Sequence, residues 1–141
     1  MTLLDAYALV AFLLDEPAAA DVEALIRTGD AGVLVVNLAE ALDVTQRVHG
    51  VSDAELRGVL EPLLGDVVAV VIQPGDAAWR AAELRAKYYD RRSCPLSLAD
   101  CFLLAAADGD EIATADPALA TALRSEGATV VALPDSSGRR P

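Results

Sequence analysis

Residues 3–14 have the sequence LLDAYALVAFLL, in which one aspartate interrupts an otherwise unbroken apolar stretch. The leading Leu3-Leu4 pair predicts a short extended segment, and Ala6–Leu14 predicts a helix that follows it directly. Asp5 lies at the junction between the two. The first structural unit that the chain predicts is therefore a short strand, an acidic residue at its end and a helix.

Predicted strands and helices alternate along the rest of the chain. The expected strands are Leu3-Leu4, Val33–Val36, Val67–Ile72, Ile112–Thr114 and Thr129–Leu133. The expected helices are Ala6–Leu14, Ala18–Arg27, Asn37–Val48, a helix capped by Ser52 that runs to Leu64, Ala77–Tyr89, Leu98–Ala107 and one from Pro117 to Glu126. This alternation favours an α/β fold of three layers, α/β/α, with a central, mostly parallel sheet. Residues 1–133 are expected to form a single domain, and residues 134–141, which lack an apolar anchor, are expected to form a mobile C-terminal tail.

The composition of the 141-residue chain fits a globular protein. Hydrophobic residues make up 54% of it and the mean hydropathy is +0.36, which excludes an intrinsically disordered chain. The longest wholly apolar run, Ala6–Leu14, has nine residues, whereas a membrane-spanning helix needs about 20. No basic residue precedes this run, so no signal peptide is expected. We therefore expect a cytoplasmic protein, and the excess of Ala and Arg suggests a bacterial one.

Four carboxylates are expected at one edge of the predicted sheet. Asp5 ends the first strand, Glu40 lies in the first turn after the second, and Asp116 follows the strand Ile112–Thr114. Asp100 lies in the first turn of the helix that precedes that strand. The ligands of an open α/β sheet bind outside the carboxyl ends of its strands, which is where these acids are expected. No neighbouring Lys or Arg offers any of them an obvious ion pair.

Helix capping is the competing interpretation of these acids. The capping patterns are Asn37-x-x-Glu40, Ser97-x-x-Asp100 and Asp116 followed by Pro117. Asp5 and Asp100 are harder to explain as caps alone, because each is the lone charge in an apolar segment. A lone buried carboxylate costs on the order of several kcal/mol unless another group compensates its charge.

A hard divalent cation would compensate four acids that have no basic partner. Mg²⁺ prefers oxygen ligands and suits open carboxylate sites. Two ions about 3.5–4 Å apart could hold both the attacking and the leaving oxygen of a phosphodiester, and the residues are compatible with either one or two ions. Without metal, two carboxylates about 4 Å apart repel each other by about 4 kcal/mol at an effective dielectric constant of about 20. At least one raised carboxyl pKa is therefore expected.

At these positions the chain resembles the PIN domain. The matching segments are Leu3–Leu9, Asn37–Glu40, Leu96–Asp100 and Ile112–Asp116. The resemblance spans residues 1 to about 133, and its most specific part is Leu-Ser-Leu-Ala-Asp with Thr-Ala-Asp sixteen residues further on. In its small single-domain form the chain resembles the VapC toxins of type II toxin–antitoxin pairs.

The resemblance implies a metal-dependent endoribonuclease that uses Mg²⁺ or, in its place, Mn²⁺. The residues that match the four acids of the family are Asp5, Glu40, Asp100 and Asp116. Asp5 and Asp100 would be the principal metal ligands. Glu40 and Asp116 would complete the site directly or through water, and one of them would orient the attacking water. Thr114 matches a hydroxyl that supports the last acid.

The net charge of −11 makes RNA binding a separate question. Such a chain repels nucleic acid at long range, so an RNA substrate needs local compensation. Five basic residues lie between Arg80 and Arg92, against two acidic ones. At the end of this stretch Arg91 and Arg92 could grip the RNA backbone, and Tyr88 and Tyr89 could stack on its bases. A solvated helix face explains the same pattern equally well.

The resemblance also implies two protein partners, a cognate antitoxin and a second copy of the chain. The antitoxin would place a basic segment in the acidic pocket and cover an apolar groove near the N-terminal helices. Phe12, Leu13, Leu14 and the helix from Ala18 could form this groove, although core packing explains these residues as well.

The main alternative is a catalytically inactive PIN-like module that docks basic partners in its acidic cleft. Four converging acids favour metal chemistry over this alternative, because a dock needs charge but not four particular positions. Other nucleotide-linked folds lack their motifs, since no G-x-G-x-x-G follows a strand and no Gly-Lys-Ser/Thr is present. His49 is the only histidine, which argues against histidine-based catalysis or a zinc site.

Overall fold

A computed structural model describes residues 1–141, and its centre is a five-stranded sheet in which every strand pair is parallel. The strands are β1 (Thr2–Leu4), β2 (Ala31–Leu34), β3 (Val68–Val71), β4 (Glu111–Thr114) and β5 (Thr129–Ala132). Their order in the sheet is β3-β2-β1-β4-β5. The central strands are short and almost wholly apolar, as is typical of strands that helices cover on both faces.

Seven helices cover the sheet, and none of them is long and apolar enough to cross a membrane. They are α1 (Ala6–Leu14), α2 (Ala19–Arg27), α3 (Val35–Arg47), α4 (Asp53–Leu60), α5 (Ala77–Tyr88), α6 (Leu98–Ala106) and α7 (Pro117–Ser125). Successive strand residues face opposite sides of the sheet. Leu4 accordingly packs in a core with α1–α4, whereas Leu3 packs in a second core with α5–α7. The predicted three-layer α/β/α architecture is thus confirmed.

The strand order reverses beside β1. The chain first proceeds outward from β1 through β2 to β3, and it then returns to the other side of β1 to form β4 and β5. In such a sheet the ligand crevice opens at the carboxyl ends of the strands next to the reversal. Asp5 follows β1 and Asp116 lies two residues after β4, so these two acids flank that crevice.

The predicted boundary between the second strand and its helix is wrong. The strand ends at Leu34, which pairs with Val71 at the end of β3, so that no strand partner remains for the next residue. Helix α3 therefore begins at Val35, in spite of the apolar, β-branched Val35-Val36 pair. Asn37, expected as the N-cap, lies inside the helix and is fully buried. Its side-chain nitrogen and oxygen have no hydrogen-bond partner in the protein.

Two further predictions need correction. Helix α4 ends at Leu60 and not at Leu64, because Pro62 has no N–H with which to continue the hydrogen-bond ladder. The third strand is shorter than Val67–Ile72 and lies at the edge of the sheet. It is not buried on both faces, since Val70 is exposed.

The last eight residues contact the body of the protein. The Arg140 guanidinium forms an ion pair with Asp21 at 2.7 Å, and the Tyr7 hydroxyl donates a hydrogen bond to the Pro134 carbonyl at 3.3 Å. These contacts hold the tail near the carboxyl edge of the sheet. The mobility expected for residues 134–141 stays a prediction.

Candidate active site

The structure brings the four predicted acids together in one cavity at the carboxyl edge of the sheet. Asp5, Glu40, Asp100 and Asp116 all line this cavity, which has a volume of about 360 Å³. Each comes from a different segment, after β1, in α3, in α6 and after β4. The parallel sheet explains the convergence, since all its strands end at the same edge. The catalytic and metal-ligating roles of the four residues stay a prediction.

Asp5 and Asp116 each use one carboxylate oxygen to cap a helix. Oδ1 of Asp5 accepts the N–H of Ala8 in α1 at 2.6 Å, and Oδ1 of Asp116 accepts the N–H of Ala118 in α7 at 2.6 Å. The positive ends of both helix dipoles therefore face these carboxylates and stabilise their negative charge. Because a cap uses one oxygen and a carboxylate has two, capping and a role in the site are compatible.

Asp100 is held in the same way by its own helix. Its Oδ2 accepts the N–H of Ser97 at 2.7 Å, and the Ser97 hydroxyl accepts the N–H of Asp100 at 3.0 Å. This capping box at the start of α6 has both of its hydrogen bonds. Glu40 differs, because α3 begins five residues before it and the expected Asn37–Glu40 capping box is absent.

Thr114 lies where its hydroxyl can support two of the acids. The side chain is fully buried, and its Oγ1 accepts the N–H of Asp116 at 3.0 Å. The same hydroxyl faces Asp5 and lowers the pKa of that carboxyl, against the stronger effect of burial. Thr114 thus links the acid after β1 to the acid after β4.

Burial and mutual repulsion make this a poor environment for negative charge. The pKa of Asp5 is raised from 3.8 to about 7, mainly by burial, and the charges of Asp100 and Asp116 contribute to this rise against the hydrogen bonds that lower it. Burial is also the main reason why the pKa values of Asp100 and Glu40 are raised. None of the four acids forms an ion pair with a Lys or Arg.

The donor chemistry of this cavity fits a hard divalent cation. All four converging groups are carboxylates, the ligands that Mg²⁺ and Mn²⁺ prefer, and the three aspartates each have an oxygen beyond the one used in capping. In the observed side-chain positions no group of three or more His, Cys, Asp or Glu residues is gathered closely enough to hold an ion. The acids fit a metal by their chemistry and their common cavity, not by a preformed cage.

Sequence reasoning missed four other residues that line the same cavity. They are Tyr7, Glu16, His49 and Ser136. Oε2 of Glu16 is buried and has no hydrogen-bond partner, and burial together with Glu16 raises the pKa of Tyr7 to about 12. Only their positions in the folded chain bring these residues to the acids. The lone aspartate at the end of β1 had a local signal, and these four have none.

The basic stretch between Arg80 and Arg92 divides into two parts. Arg80 and Lys87 form ion pairs with Glu126, at 2.9 and 2.7 Å, and the Tyr88 hydroxyl donates to the same carboxylate. Arg91 and Arg92 lie in the exposed turn after α5, and their side chains form no hydrogen bond, ion pair or cation–π interaction within the protein.

The other nine basic side chains of the protein all have such a partner. The partners are carboxylates one turn away on the same helix, carboxylates and carbonyls of other segments including the tail, and the Tyr89 ring for Arg85. Of the predicted RNA-binding residues, Arg91 and Arg92 are therefore the uncommitted cations, and Tyr88 and Tyr89 are partly engaged within the protein.

Comparison with known proteins identifies the family and supports the fold. The family model of the PIN domain matches residues 2–126. Among solved structures, FitAcB from Neisseria gonorrhoeae is 19% identical with a TM-score of 0.59, over 92% of this chain and 96% of that chain. VapBC2 from Rickettsia felis, bound to a DNA fragment from their promoter, is 11% identical with a TM-score of 0.61, over the same shares of both chains. At these identities the likeness shows a shared fold. No curated protein matches the sequence.

Proposed function

Because the chain belongs to the PIN domain family, we propose that it is a metal-dependent endoribonuclease that hydrolyses phosphodiester bonds in RNA and acts as the toxin of a toxin–antitoxin pair. One observation carries the proposal. Four carboxylates from four separate segments line a single cavity, and no Lys or Arg neutralises any of them. Helix capping accounts for one oxygen each of Asp5, Asp100 and Asp116, but it does not account for their convergence, in which the charges of Asp100 and Asp116 raise the pKa values of neighbouring acids.

Asp5 and Asp100 are the principal candidates to hold Mg²⁺ or Mn²⁺, with Glu40 and Asp116 directly or through water. When bound, a divalent cation would offset the negative charge of the acids and polarise the phosphodiester that is to be cleaved. The proposal includes one or two ions per site.

The protein's own contribution is to hold the carboxylates in place. N–H groups of α1, of Ser97 at the N-cap of α6, and of α7 fix one oxygen each of Asp5, Asp100 and Asp116, so that the remaining oxygen of each has a defined direction. Thr114 links two of these acids. A raised pKa also suits a carboxylate that accepts a proton from water, and in Glu40 it is raised by burial and by Asp100. Glu40 or Asp116 would orient the attacking water.

RNA as the substrate follows from the resemblance to the VapC toxins and from the distribution of basic residues. A chain of net charge −11 must supply positive charge locally to hold a polyanion. Arg91 and Arg92 are exposed and uncommitted, and Tyr89 is 44% exposed. We assign these residues, with Tyr88, to contacts with RNA.

A cognate antitoxin is the protein partner that the acidic cavity suggests. A basic segment of that partner would neutralise the cavity in the absence of RNA, and the shared fold with VapBC2 and FitAcB supports such a pairing. Phe12, Leu13 and Leu14 are partly buried against the core, and the groove expected at these residues stays a prediction. The cytoplasmic location is likewise a proposal.

A homodimer is the expected assembly. Ile72 and Trp79 are 79% and 77% exposed, the highest values among the large apolar side chains. Both belong to the side of the molecule that carries β3 and α5, and contact with a second copy would remove them from water. Sedimentation of the purified protein tests this directly, and Trp79→Glu should shift a dimer toward monomer.

The second candidate function is a docking module without catalysis. It has one observation in its favour, since the acids are not gathered into a metal cage in the observed side-chain positions. The two functions differ in their response to Asp100→Asn. Loss of one of four charges should only weaken the docking of a basic peptide, whereas it should abolish metal-dependent cleavage.

The decisive experiment is the cleavage of a mixed, structured RNA pool by purified protein with Mg²⁺, with Mn²⁺ and with EDTA. We expect cuts only with a divalent cation, and a loss of rate of at least about 100-fold in Asp100→Asn, because even groups that only support metal ligands contribute about 10–100-fold. Asp66→Asn, which removes an exposed aspartate outside the cavity, is the matched control and should cleave like the wild type. Absence of cleavage together with absence of any stabilisation by cations would favour the docking module.

A further inference from the structure

A second cavity adjoins the acidic one. It has a volume of about 410 Å³, within the range of small-molecule sites of about 300–1,000 Å³. Pro117 and Thr121, in the first turns of α7, form one of its sides, and Tyr88, Ser93 and Cys94 form the other. Asp116 lines both cavities. A nucleic-acid strand whose phosphodiester lies at the four acids can therefore continue past Asp116 into the second cavity.

The turn that borders the second cavity is ordered before any ligand binds. The Asp90 carboxylate accepts the N–H groups of Arg92 and Ser93 at 2.9 and 2.8 Å, and also the Ser93 hydroxyl. The backbones of Asp90 and Cys94 exchange two hydrogen bonds, at 3.0 and 2.9 Å. Binding to a turn that is already rigid loses less conformational entropy than binding to a loose loop.

This turn also carries the two uncommitted cations of the protein. Arg91 and Arg92 directly precede Ser93 as a pair, are exposed, and have no side-chain partner. Elsewhere the protein neutralises almost every basic side chain internally. Ser93 and Cys94 of this turn line the second cavity, so two free guanidinium groups on the same turn are suited to the phosphates of a nucleic-acid strand that enters it.

The walls of the second cavity suit a base and its sugar. The Tyr88 ring is fixed in place, since its hydroxyl donates to Glu126 and the Lys87 ammonium lies 4.9 Å from its centroid. A fixed aromatic ring is a platform for stacking an unpaired base. The hydroxyl oxygens of Ser93 and Thr121 can accept hydrogen bonds in addition to those they donate.

We infer that this second cavity is a binding subsite for the nucleotide next to the scissile phosphodiester of a single-stranded RNA segment, with Arg91 and Arg92 on the phosphates beyond it. The inference rests on the proposed nuclease function and adds the direction in which the substrate leaves the acids. It also assigns the preference for a flanking nucleotide to Tyr88, Ser93 and Thr121.

Cys94 provides a test that needs no cleavage. Its side chain is half-buried in the second cavity, whereas the only other cysteine, Cys101, is fully buried and serves as an internal control. In EDTA, a saturating pool of short single-stranded RNA of random sequence should slow the alkylation of Cys94 by N-ethylmaleimide several-fold. Heparin, a polyanion without bases, should not protect it. Unchanged alkylation with RNA would overturn the subsite, whether or not RNA binds elsewhere.

Thr121→Trp and Ser125→Trp form a matched pair of variants one helical turn apart on α7. Thr121 is exposed and lines the cavity, whereas Ser125 is exposed and lies outside it. Thr121→Trp should lower kcat/KM for RNA at least tenfold or change the preferred flanking nucleotide, and should leave the Mg²⁺-induced rise in Tm unchanged. Ser125→Trp should behave like the wild type. Equal rates and equal cut sites in the two variants would overturn the subsite but not the proposed nuclease function. A wild-type protein that neither cuts nor binds RNA would overturn both.

Discussion

Helix α7 has a carboxylate at each end, and the two differ in whether basic side chains lie beside them. At its start Asp116 joins three other acids in a cavity without a basic partner. At its end Glu126 forms ion pairs with Arg80 and Lys87 and accepts a hydrogen bond from the Tyr88 hydroxyl. These hydrogen bonds, with Lys87 as the largest contributor, lower the pKa of Glu126. In the cavity, burial instead raises the pKa values of Asp5, Glu40 and Asp100.

The presence or absence of basic partners distinguishes a carboxylate with a structural role, Glu126, from the cavity acids, for which we propose a functional role. Around Glu126 the chain itself supplies the positive charges, so the cluster is complete once the protein has folded. Around Asp5 the chain supplies only helix N-termini and a hydroxyl, which stabilise the acids in part. The remaining compensation must come from outside the chain, and a divalent cation or a basic segment of a partner can supply it.

The largest expected effect concerns the pH dependence of stability. The wild type should lose stability as Asp5 ionises, and Asp5→Asn should not. Because the pKa of Asp5 is about 7 in the folded protein and 3.8 ordinarily, the folded state binds this proton more tightly, and stability falls as pH rises from about 4 to about 7. The shift corresponds to on the order of 4 kcal/mol. In EDTA at pH 8, Asp5→Asn should therefore melt on the order of 10 °C above the wild type.

The control for this comparison is Asp66→Asn, which removes an exposed carboxylate and should melt like the wild type at every pH. The advantage of Asp5→Asn should shrink as pH falls from about 7 to about 4. Parallel pH profiles of Asp5→Asn and the wild type would contradict the description of Asp5 as an uncompensated acid.

The next effect is stabilisation by a divalent cation. At a free concentration of about 100 times Kd, Mg²⁺ or Mn²⁺ should stabilise the protein by about 2.7 kcal/mol, or about 5–10 °C in Tm. Asp5→Asn and Asp100→Asn should lose this gain, and Glu126→Gln should keep it. Thermal melts with and without EDTA measure it. A gain of equal size in Asp100→Asn would place the cation elsewhere.

A smaller effect of opposite sign is expected at the other end of α7. Glu126→Gln leaves Lys87 without a carboxylate and Arg80 with only its longer ion pair to Glu83 at 3.5 Å, so the Tm of the variant at pH 7 should fall below that of the wild type. Because the pKa of Glu126 is lowered in the folded state, its contribution is present above about pH 4.5 and is lost as pH falls through the folded pKa. Melts at descending pH should thus show the two proteins converging. A difference that grows toward low pH would be inconsistent with this account.

The smallest expected effect is on the salt dependence of RNA binding, and it distinguishes the basic residues without an internal partner from those that pair with Glu126. The double variant Arg91→Ala/Arg92→Ala should weaken RNA binding and reduce the salt slope of log K by about 0.7 for each phosphate that the protein no longer neutralises. Arg80→Ala/Lys87→Ala removes the same charge from the Glu126 cluster and should leave the slope unchanged. Titrations at several salt concentrations measure both, and equal slopes in the two variants would remove the distinction.

Local patterns predicted those parts of the structure that depend on neighbours in sequence. The Ser52 and Ser97 caps, the helix from Ala77 and the unit of strand, Asp5 and helix are all present. The β2–α3 boundary could not be predicted locally. It depends on the end of β3, the strand that pairs with β2, and not on the apolar character of Val35 and Val36.

The sequence by itself determined the fold class and the identity of the four acids. Alternating apolar runs specify strands and helices through short-range burial, and a lone carboxylate in an apolar run is visible without coordinates. The tertiary structure alone decided which charges have partners. Arg80 and Lys87 resemble Arg91 and Arg92 in sequence, but only the first two reach Glu126, about forty residues away along the chain. Likewise, only the folded chain brings Glu16 and Ser136 to the acidic cavity. Electrostatic energy depends on distance through space, which sequence separation does not specify.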